Sequence, residues 1–278
     1  MWSLLDLLPE TPMIDVLDIG ASHNEKPPYQ PLVEAGRARI VGFEPDKAEC
    51  EKLNREYGAP HRFFPHFVGD GKPAVFHETN WALTGSLYEP NTPLLEKFQN
   101  LAEAVAPVAK HAVDTTRLDD LPEIGNVDFI KIDVQGSELP VFRNGLRALA
   151  SAVLIQTEVE FLELYRGQPV FADVDVFLRA KGFQFHAFDG FGGRAFKPLV
   201  ANGDLNGVFR QVLWSDALYV RDWMALDQLD ADKLRKYAVL AHDVLRSYHL
   251  AHLVLLALDR KAGSGVAGAY LDRLTKGA

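Results

Sequence analysis

The sequence predicts an α/β fold with a doubly wound, mostly parallel seven-stranded sheet and a C-terminal helical extension. Three observations support this prediction. Short apolar segments alternate with helix-like segments between residues 14 and 220, which is typical of a parallel sheet covered by helices on both faces. Acidic residues follow several of the apolar segments, at the edge of such a sheet where ligands bind. From residue 223 onward, prolines and strand patterns are absent from the sequence.

The first half of the predicted sheet contains three strands. Asp46 follows the second strand and is a good N-cap for the next helix, which Gly58 and Pro60 end. A Gly-Asp-Gly turn signal at 69–71 follows the third strand. In chain order, the predicted elements are a short helix at 2–8, strand 14–19, helix 30–38, strand 39–44, helix 46–57 and strand 61–68.

Residues 72–117 do not fit a simple strand–helix unit. They contain short strand-like pieces, a Thr-Gly-Ser segment at 84–86 and a predicted helix at 92–105 that precedes Pro107. We interpret this region as an insertion beside the ligand crevice.

The second half of the predicted sheet contains four strands. The last two, at 183–188 and 210–220, have no helix between them, so we expect a late hairpin. The segment 189–207 contains five glycines and is predicted to be a loop. The other predicted elements are strand 127–133, helix 137–149, strand 152–159 and helix 171–181.

The C-terminal segment is predicted to be helical because apolar residues recur at three- to four-residue spacing from Leu234 to Tyr248. We therefore divide the chain into a ligand-binding domain at 1–222 and a helical extension at 223–278. The apolar stripe must be buried, either on the chain's own domain or as a lid or a two-fold homodimer interface. Of these alternatives we favour the lid or the homodimer.

Composition and charge narrow the function classes. A net charge of −9 argues against a nucleic-acid partner, which requires a basic face. The single Cys50 excludes an internal disulfide and fits a reducing compartment. The N-terminus lacks a signal-peptide pattern, and the longest apolar run, at 250–258, is far shorter than the ~20 residues that span a bilayer. We expect a cytoplasmic protein without an integral membrane segment.

The most informative segment of the chain is FIKIDVQGSE at 129–138. Phe129, Lys131 and Asp133 alternate with apolar residues, so all three point to one face of a strand. Charged side chains inside a parallel strand are costly unless they are paired or used. Because ligands lie outside the carboxyl ends of the strands in open α/β sheets, we expect Asp133 and Glu138 to face a ligand crevice.

Two earlier strands end in acidic residues, and a glycine turn follows the first of them. VLDIGAS at 16–22 places Asp18 and Gly20 at the end of one strand, and IVGFEPD at 40–46 places Glu44 at the end of the next. Glycine allows close backbone approach to a ligand, and an acidic residue after the next strand suits ribose hydroxyls. The loop lacks the second and third glycines of the dinucleotide fingerprint, so it is a poor pyrophosphate cradle.

Together, the segments DIGAS, VGFEPD, TGS and KIDVQGSE resemble the FkbM family of S-adenosylmethionine-dependent methyltransferases over residues 14–190. The resemblance implies a class I methyltransferase fold and S-adenosylmethionine as cofactor. It also implies methyl transfer to a hydroxyl of a sugar, glycolipid or polyketide-like acceptor. Asp18, Gly20 and Glu44 would hold the cofactor, and we add Ser22 from the same loop.

The sequence departs from the family pattern in two places. Gln135 stands where the family usually has Glu, which weakens a proton-transfer or metal-binding role at that position. The loop after the first strand commonly carries Asn and a second Gly, whereas here it is Ser-His-Asn-Glu at 22–25. In this fold the third strand ends near the adenine. Asp70 is therefore either a turn residue or an acceptor for the adenine amino group, and we include it in the cofactor site.

Three residues are candidates for the base that removes the acceptor's hydroxyl proton. Asp133 is the strongest, because it ends the strand beside the cofactor turn, and we also assign it to the cofactor site. His23 follows that turn, and unperturbed histidine titrates near neutrality. Glu158 lies on the neighbouring strand and is the third candidate. Two alternatives stay open for Lys131: an ion pair with Glu158, or a contact with the substrate.

We predict no metal site, although carboxylates are numerous near the crevice. Their oxygens suit Mg²⁺ or Ca²⁺, but no ligand spacing is diagnostic. The carboxylates concerned are Asp133, Glu138, Glu158 and Glu160.

Two other functions stay open on the sequence alone. A NAD-dependent reductase or epimerase is disfavoured by the missing glycines. A non-catalytic binding protein that retains the fold would use its helical extension as the interaction surface. The expected partner of the enzyme is a small-molecule or glycan acceptor.

Overall fold

The computed structural model describes residues 2–22, 26–200 and 202–276. Their strands are β1 (Ile14–Ile19), β2 (Ala38–Phe43), β3 (Arg62–Phe64), β4 (Phe67–Val68), β5 (Pro73–Thr79), β6 (Pro107–Thr116), β7 (Phe129–Ile132), β8 (Leu154–Glu160), β9 (Phe183–Gly193) and β10 (Val212–Arg221). Seven of them form a central sheet in the order β3-β2-β1-β7-β8-β10-β9, and β4, β6 and β5 form a smaller sheet. All neighbours in the central sheet are parallel except β10, which is antiparallel to β8 and β9. The predicted doubly wound sheet with a late hairpin is confirmed.

Helices cover both faces of this sheet. They are α1 (Gln30–Glu34), α2 (Lys47–Tyr57), α3 (Thr92–Leu95), α4 (Leu101–Ala104), α5 (Glu138–Arg143), α6 (Leu146–Ser151), α7 (Phe171–Ala180), α8 (Ala231–Val239), α9 (Tyr248–Ala262) and α10 (Val266–Lys276). A π-helical turn at Leu240–Val244 follows α8. Helices α5, α6 and α7 pack on one face, and α1, α2, α8, α9 and α10 pack on the other.

Two predicted elements are interrupted in the structure. The predicted strand at 61–68 divides into β3 and β4, which belong to different sheets, because Pro65 between them has no N–H for a continuous ladder. The predicted helix at 137–149 divides into α5 and α6, because Asn144 ends the first helix and Gly145 caps the second.

The insertion at residues 72–117 differs from its predicted secondary structure. The predicted helix at 92–105 is wrong: only the single turns α3 and α4 form, and Asn100 between them has a left-handed φ of 54°. Residues 107–116 form β6, which pairs antiparallel with β5 and was not predicted. The predicted loop at 189–207 starts later than expected, because β9 continues along β10 as far as Gly193.

One face of the central sheet changes from apolar to polar along its strands. Side chains alternate between the two faces of a strand, so every second residue of each strand lies on this face. Its apolar members, toward the amino ends of the parallel strands, include Ile14, Val16, Ile40, Phe129, Leu154 and Val220. Its polar members, toward the carboxyl ends, are Asp18, Glu44, Lys131, Asp133, Gln156, Glu158 and Asp216.

The C-terminal extension covers the apolar part of this face. Leu234, Tyr237 and Leu255 are fully buried in the same core cluster as Phe129 and Val220 of the sheet. The apolar stripe is therefore buried within the chain itself. The preference for a lid or a homodimer as its cover was wrong, and this surface gives the homodimer no support.

Polar contacts also fix the extension to the sheet. Asp128, which is buried directly before β7, forms ion pairs with Lys233 and Lys236 of α8; the Lys236 Nζ lies 2.7 Å from Asp128 Oδ2. The Tyr237 hydroxyl donates a hydrogen bond to the carbonyl oxygen of Arg221 at 2.8 Å. The sheet and the extension share one core. The division of the chain into two domains at residue 222 stays a prediction.

Among the described residues, no helix combines the length and the apolar character needed to cross a bilayer.

Two adjacent leucines of α9 test the packing of the extension. Leu255 is 0% exposed, whereas Leu256 is 38% exposed. We expect Leu255→Ala to lower the free energy of unfolding by about 2–5 kcal/mol, because it leaves a cavity in the shared core. Leu256→Ala is the matched control and should change it by about 0.5 kcal/mol or less. Urea denaturation followed by circular dichroism measures both; equal effects would contradict this packing.

Candidate active site

Gly20 brings the carboxyl ends of β1 and β7 into contact. Its φ of +78° lies in the left-handed region that favours glycine, and a Cβ here would stand 1.9 Å from the carbonyl oxygen of Asp133. The Asp133 N–H donates to the carbonyl oxygen of Ile19 at 3.0 Å, and the Gly20 N–H donates to that of Phe43 at 3.0 Å. The ends of β1, β2 and β7 therefore meet where the strand order reverses direction, which is the ligand-binding position of such sheets.

Asp18 is buried and paired at this point. The Tyr29 hydroxyl donates a hydrogen bond to Asp18 Oδ2, and the Lys131 Nζ lies 3.6 Å from Oδ1. Burial and the negative charge of Asp18 raise the pKa of Tyr29 well above its usual value. Lys131 thus forms its ion pair with Asp18 on β1. The alternative from the sequence, an ion pair with Glu158 on β8, is wrong.

Glu44 lies half-buried after β2. Its Oε1 accepts a hydrogen bond from the Asp46 N–H at 2.7 Å, and burial raises its pKa to about 7. Asp46 caps α2 as predicted, since its Oδ1 accepts from the N–H groups of Ala48 and Glu49 at 2.8 and 2.9 Å. Glu44 is therefore not the helix cap and stays available for a ligand.

Asp133 and Glu158 are joined by an amide. The Gln135 Nε2 donates to Asp133 Oδ1 and to Glu158 Oε2, each at 2.7 Å. Burial, and then the negative charge of Asp133, raise the pKa of Glu158 well above its usual value. The two predicted catalytic carboxylates on adjacent strands therefore form one connected unit.

The polar part of the sheet face opens into a cleft of about 320 Å³. Within it, the Gln156 Nε2 donates to Asp216 Oδ2 at 2.9 Å, and burial raises the pKa of Asp216. The residues that line the cleft are Lys26, Pro27, Pro28, Lys131, Ile132, Asp133, Gln156, Asp189 and Asp216. A second hollow, of about 400 Å³, lies at the opposite edge of the sheet and contains no predicted site residue.

A family model described as the methyltransferase FkbM domain matches residues 18–185, which is more than half of the chain. The chain belongs to the FkbM methyltransferase family. The match includes the Gly20 turn, Glu44, Asp133 and Glu158. The protein is accordingly an S-adenosylmethionine-dependent methyltransferase, and the nicotinamide-dependent alternative is excluded.

Among solved structures, the chain is similar to three methyltransferases at low identity. Magnesium protoporphyrin IX methyltransferase from Synechocystis, with bound S-adenosylmethionine, is 13% identical over 79% of this chain and 76% of its own, with a TM-score of 0.39. Precorrin-6y C5,15-methyltransferase from Geobacter metallireducens is 13% identical over 78% and 85%, with a TM-score of 0.35. The 30S ribosomal A1408 methyltransferase from an uncultured bacterium is 12% identical over 78% and 92%, with a TM-score of 0.36.

Likenesses at this level establish neither a substrate nor a mechanism for the FkbM methyltransferase described here. The comparison with curated proteins found no match.

The residues at the Gly20 turn fit S-adenosylmethionine. The absence of a side chain at Gly20 lets the backbones of β1 and β7 approach each other at their carboxyl ends, where ligands bind in such sheets. Asp18 Oδ1 is buried without a hydrogen-bond partner among the described residues, although it faces Lys131. The Glu44 carboxylate suits a pair of ribose hydroxyls, because an ionised carboxylate accepts two hydrogen bonds.

The other predicted site residues have different surroundings. Ser22 is half-buried after the Gly20 turn, and His23 lies outside the described residues. Asp70 acts as a turn residue, because its Oδ1 accepts from the Lys72 N–H at 3.1 Å and its Oδ2 pairs with the Lys72 Nζ at 2.9 Å. Its adenine contact stays a prediction.

Glu138 does not face the crevice, contrary to expectation. It is buried, and its Oε1 accepts from the N–H groups of Val134 and Gly136 at 2.9 and 3.2 Å. Burial raises its pKa to about 7. Glu138 thus stabilises the turn that carries Gln135 instead of contacting a ligand.

Four residues that hydrogen-bond at or beside the site were missed by sequence reasoning: Tyr29, Gln156, Asp216 and Tyr165, whose hydroxyl lies 3.2 Å from Gln135 Oε1. Tyr29 and Tyr165 are single aromatic residues in irregular segments, without a motif that marks them. Gln156 and Asp216 belong to the polar row on one sheet face, and the alternation of β8 and β10 was the signal that could have found them.

Within the described ranges, no group of three or more His, Cys, Asp or Glu side chains has the geometry of a metal site. The predicted metal independence of the methyltransferase remains to be measured by its activity in EDTA.

The raised pKa of Glu44 predicts how cofactor affinity depends on pH. If the ionised carboxylate binds the ribose, affinity for S-adenosylmethionine should rise about tenfold between pH 6 and pH 8, because a group with a pKa of about 7 is mostly protonated at the lower pH. Glu44→Gln should weaken binding and flatten this dependence. Calorimetry at several pH values measures both effects.

The control for this experiment is Glu51→Gln, which makes the same charge change on the exposed side of α2. It should leave the pH dependence intact. The apo protein should show the opposite trend in stability: the contribution of Glu44 is present below pH 4.5 and is lost as the pH rises through about 7. An unchanged pH dependence of binding in Glu44→Gln would remove Glu44 from the cofactor site.

Proposed function

We propose that this methyltransferase is an O-methyltransferase that acts on a hydroxyl of a sugar, glycolipid or polyketide-like acceptor. The observation that carries the proposal is the position of Asp133. Its carboxylate lines the cleft, and its backbone touches the Gly20 turn of the cofactor site. This position supports a role for Asp133 between the predicted cofactor turn and the cleft.

The chemistry of the cleft supports a hydroxylated acceptor. Most side chains that line it are polar, and they offer both donors and acceptors of hydrogen bonds. No aromatic side chain lines it among the described residues, so a flat aromatic acceptor has no stacking partner there. The exposed aromatic residues Trp81 and Phe191, at 53% and 55% exposure, lie outside this lining.

The chain's own residues have to align the acceptor and remove its proton. Bound S-adenosylmethionine supplies a methyl group that is already activated as a sulfonium. Asp133 accepts the hydroxyl proton, while Lys131, which also lines the cleft, donates to an acceptor oxygen. Burial and neighbouring negative charges raise the pKa of Glu158 well above its usual value, which disfavours its ionised form, and we therefore assign the base to Asp133.

The remaining expectations about partners and location belong to the same proposal. The acceptor is a small molecule or glycan rather than a nucleic acid, on the ground of the net charge of −9. A cytoplasmic location rests on the sequence alone. His23 stays a second candidate base.

The role of Asp133 is tested by Asp133→Asn, which keeps an oxygen acceptor for the Gln135 amide but removes the basic carboxylate. We expect turnover to fall at least about 100-fold, the usual range for the loss of a general base, and to fall by a larger factor than the affinity for S-adenosylmethionine. Transfer of a radiolabelled methyl group to a panel of hydroxylated acceptors provides the assay.

Asp114→Asn is the matched control, because Asp114 is exposed on β6 away from the cleft, and its activity should be that of the wild type. Normal turnover in Asp133→Asn would place the base elsewhere. Methylation of amines or carbons only, with no hydroxyl accepted, would overturn the O-methyltransferase assignment.

A further inference from the structure

Gln135 occupies an unusual position between two carboxylates. Its single Nε2 group donates to both Asp133 and Glu158 at 2.7 Å. A side-chain amide carries two N–H donors on one nitrogen, so it satisfies two acceptor oxygens without a charge. Carboxylates held this close otherwise require a shared proton or a cation between them.

The backbone of Gln135 is fixed in a conformation that few residues adopt. Its φ of 51° lies in the left-handed region, which is costly for a residue with a Cβ and persists only when its surroundings hold it. The Ser86 hydroxyl donates to the Gln135 carbonyl oxygen at 2.6 Å. The Thr-Gly-Ser segment of the insertion thus holds the residue in place from outside the central sheet.

The orientation of the Gln135 amide is also fixed. The Tyr165 hydroxyl lies 3.2 Å from Gln135 Oε1 and donates to the carbonyl oxygen of Thr84 at 2.8 Å. The single hydrogen of this hydroxyl serves only one of the two oxygens at a time, and with Oε1 on the Tyr165 side, Nε2 faces the two carboxylates. The opposite orientation would place three oxygens together without a hydrogen between them, so the hydrogen-bond network selects the observed one.

We propose that Gln135 is a positioning residue that takes the place of a divalent cation between Asp133 and Glu158. The amide holds the Asp133 carboxylate toward the cleft and keeps it a hydrogen-bond acceptor. A carboxylate at position 135 would put three negatively charged groups around one point, which is the oxygen-rich environment that Mg²⁺ prefers.

The direct test is Gln135→Glu, studied by calorimetric titration with MgCl₂. We expect this variant to bind one Mg²⁺ per chain and the wild type to bind none under the same conditions. The thermal unfolding temperature of the metal-free variant should fall, relative to the wild type, as the pH rises from 5 to 8, because the added carboxylate loses its proton beside two others. Added Mg²⁺ should restore it.

Gln184→Glu is the matched control, because Gln184 lies on β9 outside the cleft and accepts a hydrogen bond from Arg179. It should neither bind Mg²⁺ nor acquire the pH-dependent unfolding. The proposal is overturned if Gln135→Glu behaves like Gln184→Glu, or if the wild type itself binds Mg²⁺ at this cluster.

A second variant keeps the proposal testable if Gln135→Glu does not fold. Gln135→Met is uncharged and of similar length but has no donor, so the carboxyl groups of Asp133 and Glu158 lose the hydrogen bonds that Gln135 donates. The acid limb of its kcat–pH profile should move up by roughly one pH unit, with the KM for S-adenosylmethionine unchanged. An unmoved acid limb would contradict the positioning role.

The kcat–pH measurement on Gln135→Met rests on the proposed function. The Mg²⁺ titration and the thermal unfolding of Gln135→Glu do not. Mg²⁺ binding by Gln135→Glu without any hydroxyl methylation by the wild type would sustain the role of Gln135 and refute the O-methyltransferase assignment.

Discussion

The site depends on one close backbone approach, that of Gly20 to the carbonyl oxygen of Asp133. Adjacent parallel strands normally keep their side chains apart at this point, and a Cβ at residue 20 would lie 1.9 Å from that oxygen. Because Gly20 has no side chain, the turn after β1 folds over the end of β7 without a clash. The cofactor turn and the proposed base are therefore set at a fixed distance by the backbone itself, before any side chain contributes.

The same sheet face serves two purposes along its length. Toward the amino ends it is apolar and is covered by the C-terminal helices, which share its core. Toward the carboxyl ends the residues on that face become charged or amidic, and the cover stops at the cleft. Apolar burial by the extension thus stabilises the strands, whose polar ends carry the chemistry. A variant that loosens the extension is expected to disturb the site through the strands rather than through a contact with the ligand.

Most of the fold was predictable because local patterns and the final structure agree. Short apolar segments identified β1, β2, β7 and β8, and the acidic residues that follow or end them identified the residues at the strand ends. The prediction failed where tertiary contacts decide the conformation. Residues 92–105 have a helical pattern, but Phe98 forms a β-bridge with Phe196, and a pairing between segments so distant in sequence has no local signal.

The candidate site shows the same division. Asp18, Gly20, Glu44 and Asp133 follow from strand ends, which a sequence displays. The partner of Lys131 did not follow, because two neighbouring strands offered an acid and only the structure selects Asp18. The burial of the Glu138 side chain was also not predictable, because its hydrogen-bond partners are backbone N–H groups of the preceding turn. Side-chain pairing between elements is set by packing, and one sequence does not encode it visibly.

The most direct measurement of this account is the affinity for S-adenosylmethionine of Gly20→Ala compared with Gly58→Ala. Both glycines have a left-handed φ, of +78° and +61°, but a Cβ at Gly58 would meet nothing within 4 Å. Both variants should lose about 1–3 kcal/mol of stability from the strained backbone alone. The account predicts that Gly20→Ala also loses cofactor binding by at least about 100-fold, or about 2.7 kcal/mol, while Gly58→Ala binds like the wild type. A folded Gly20→Ala protein that binds S-adenosylmethionine with wild-type affinity would contradict it.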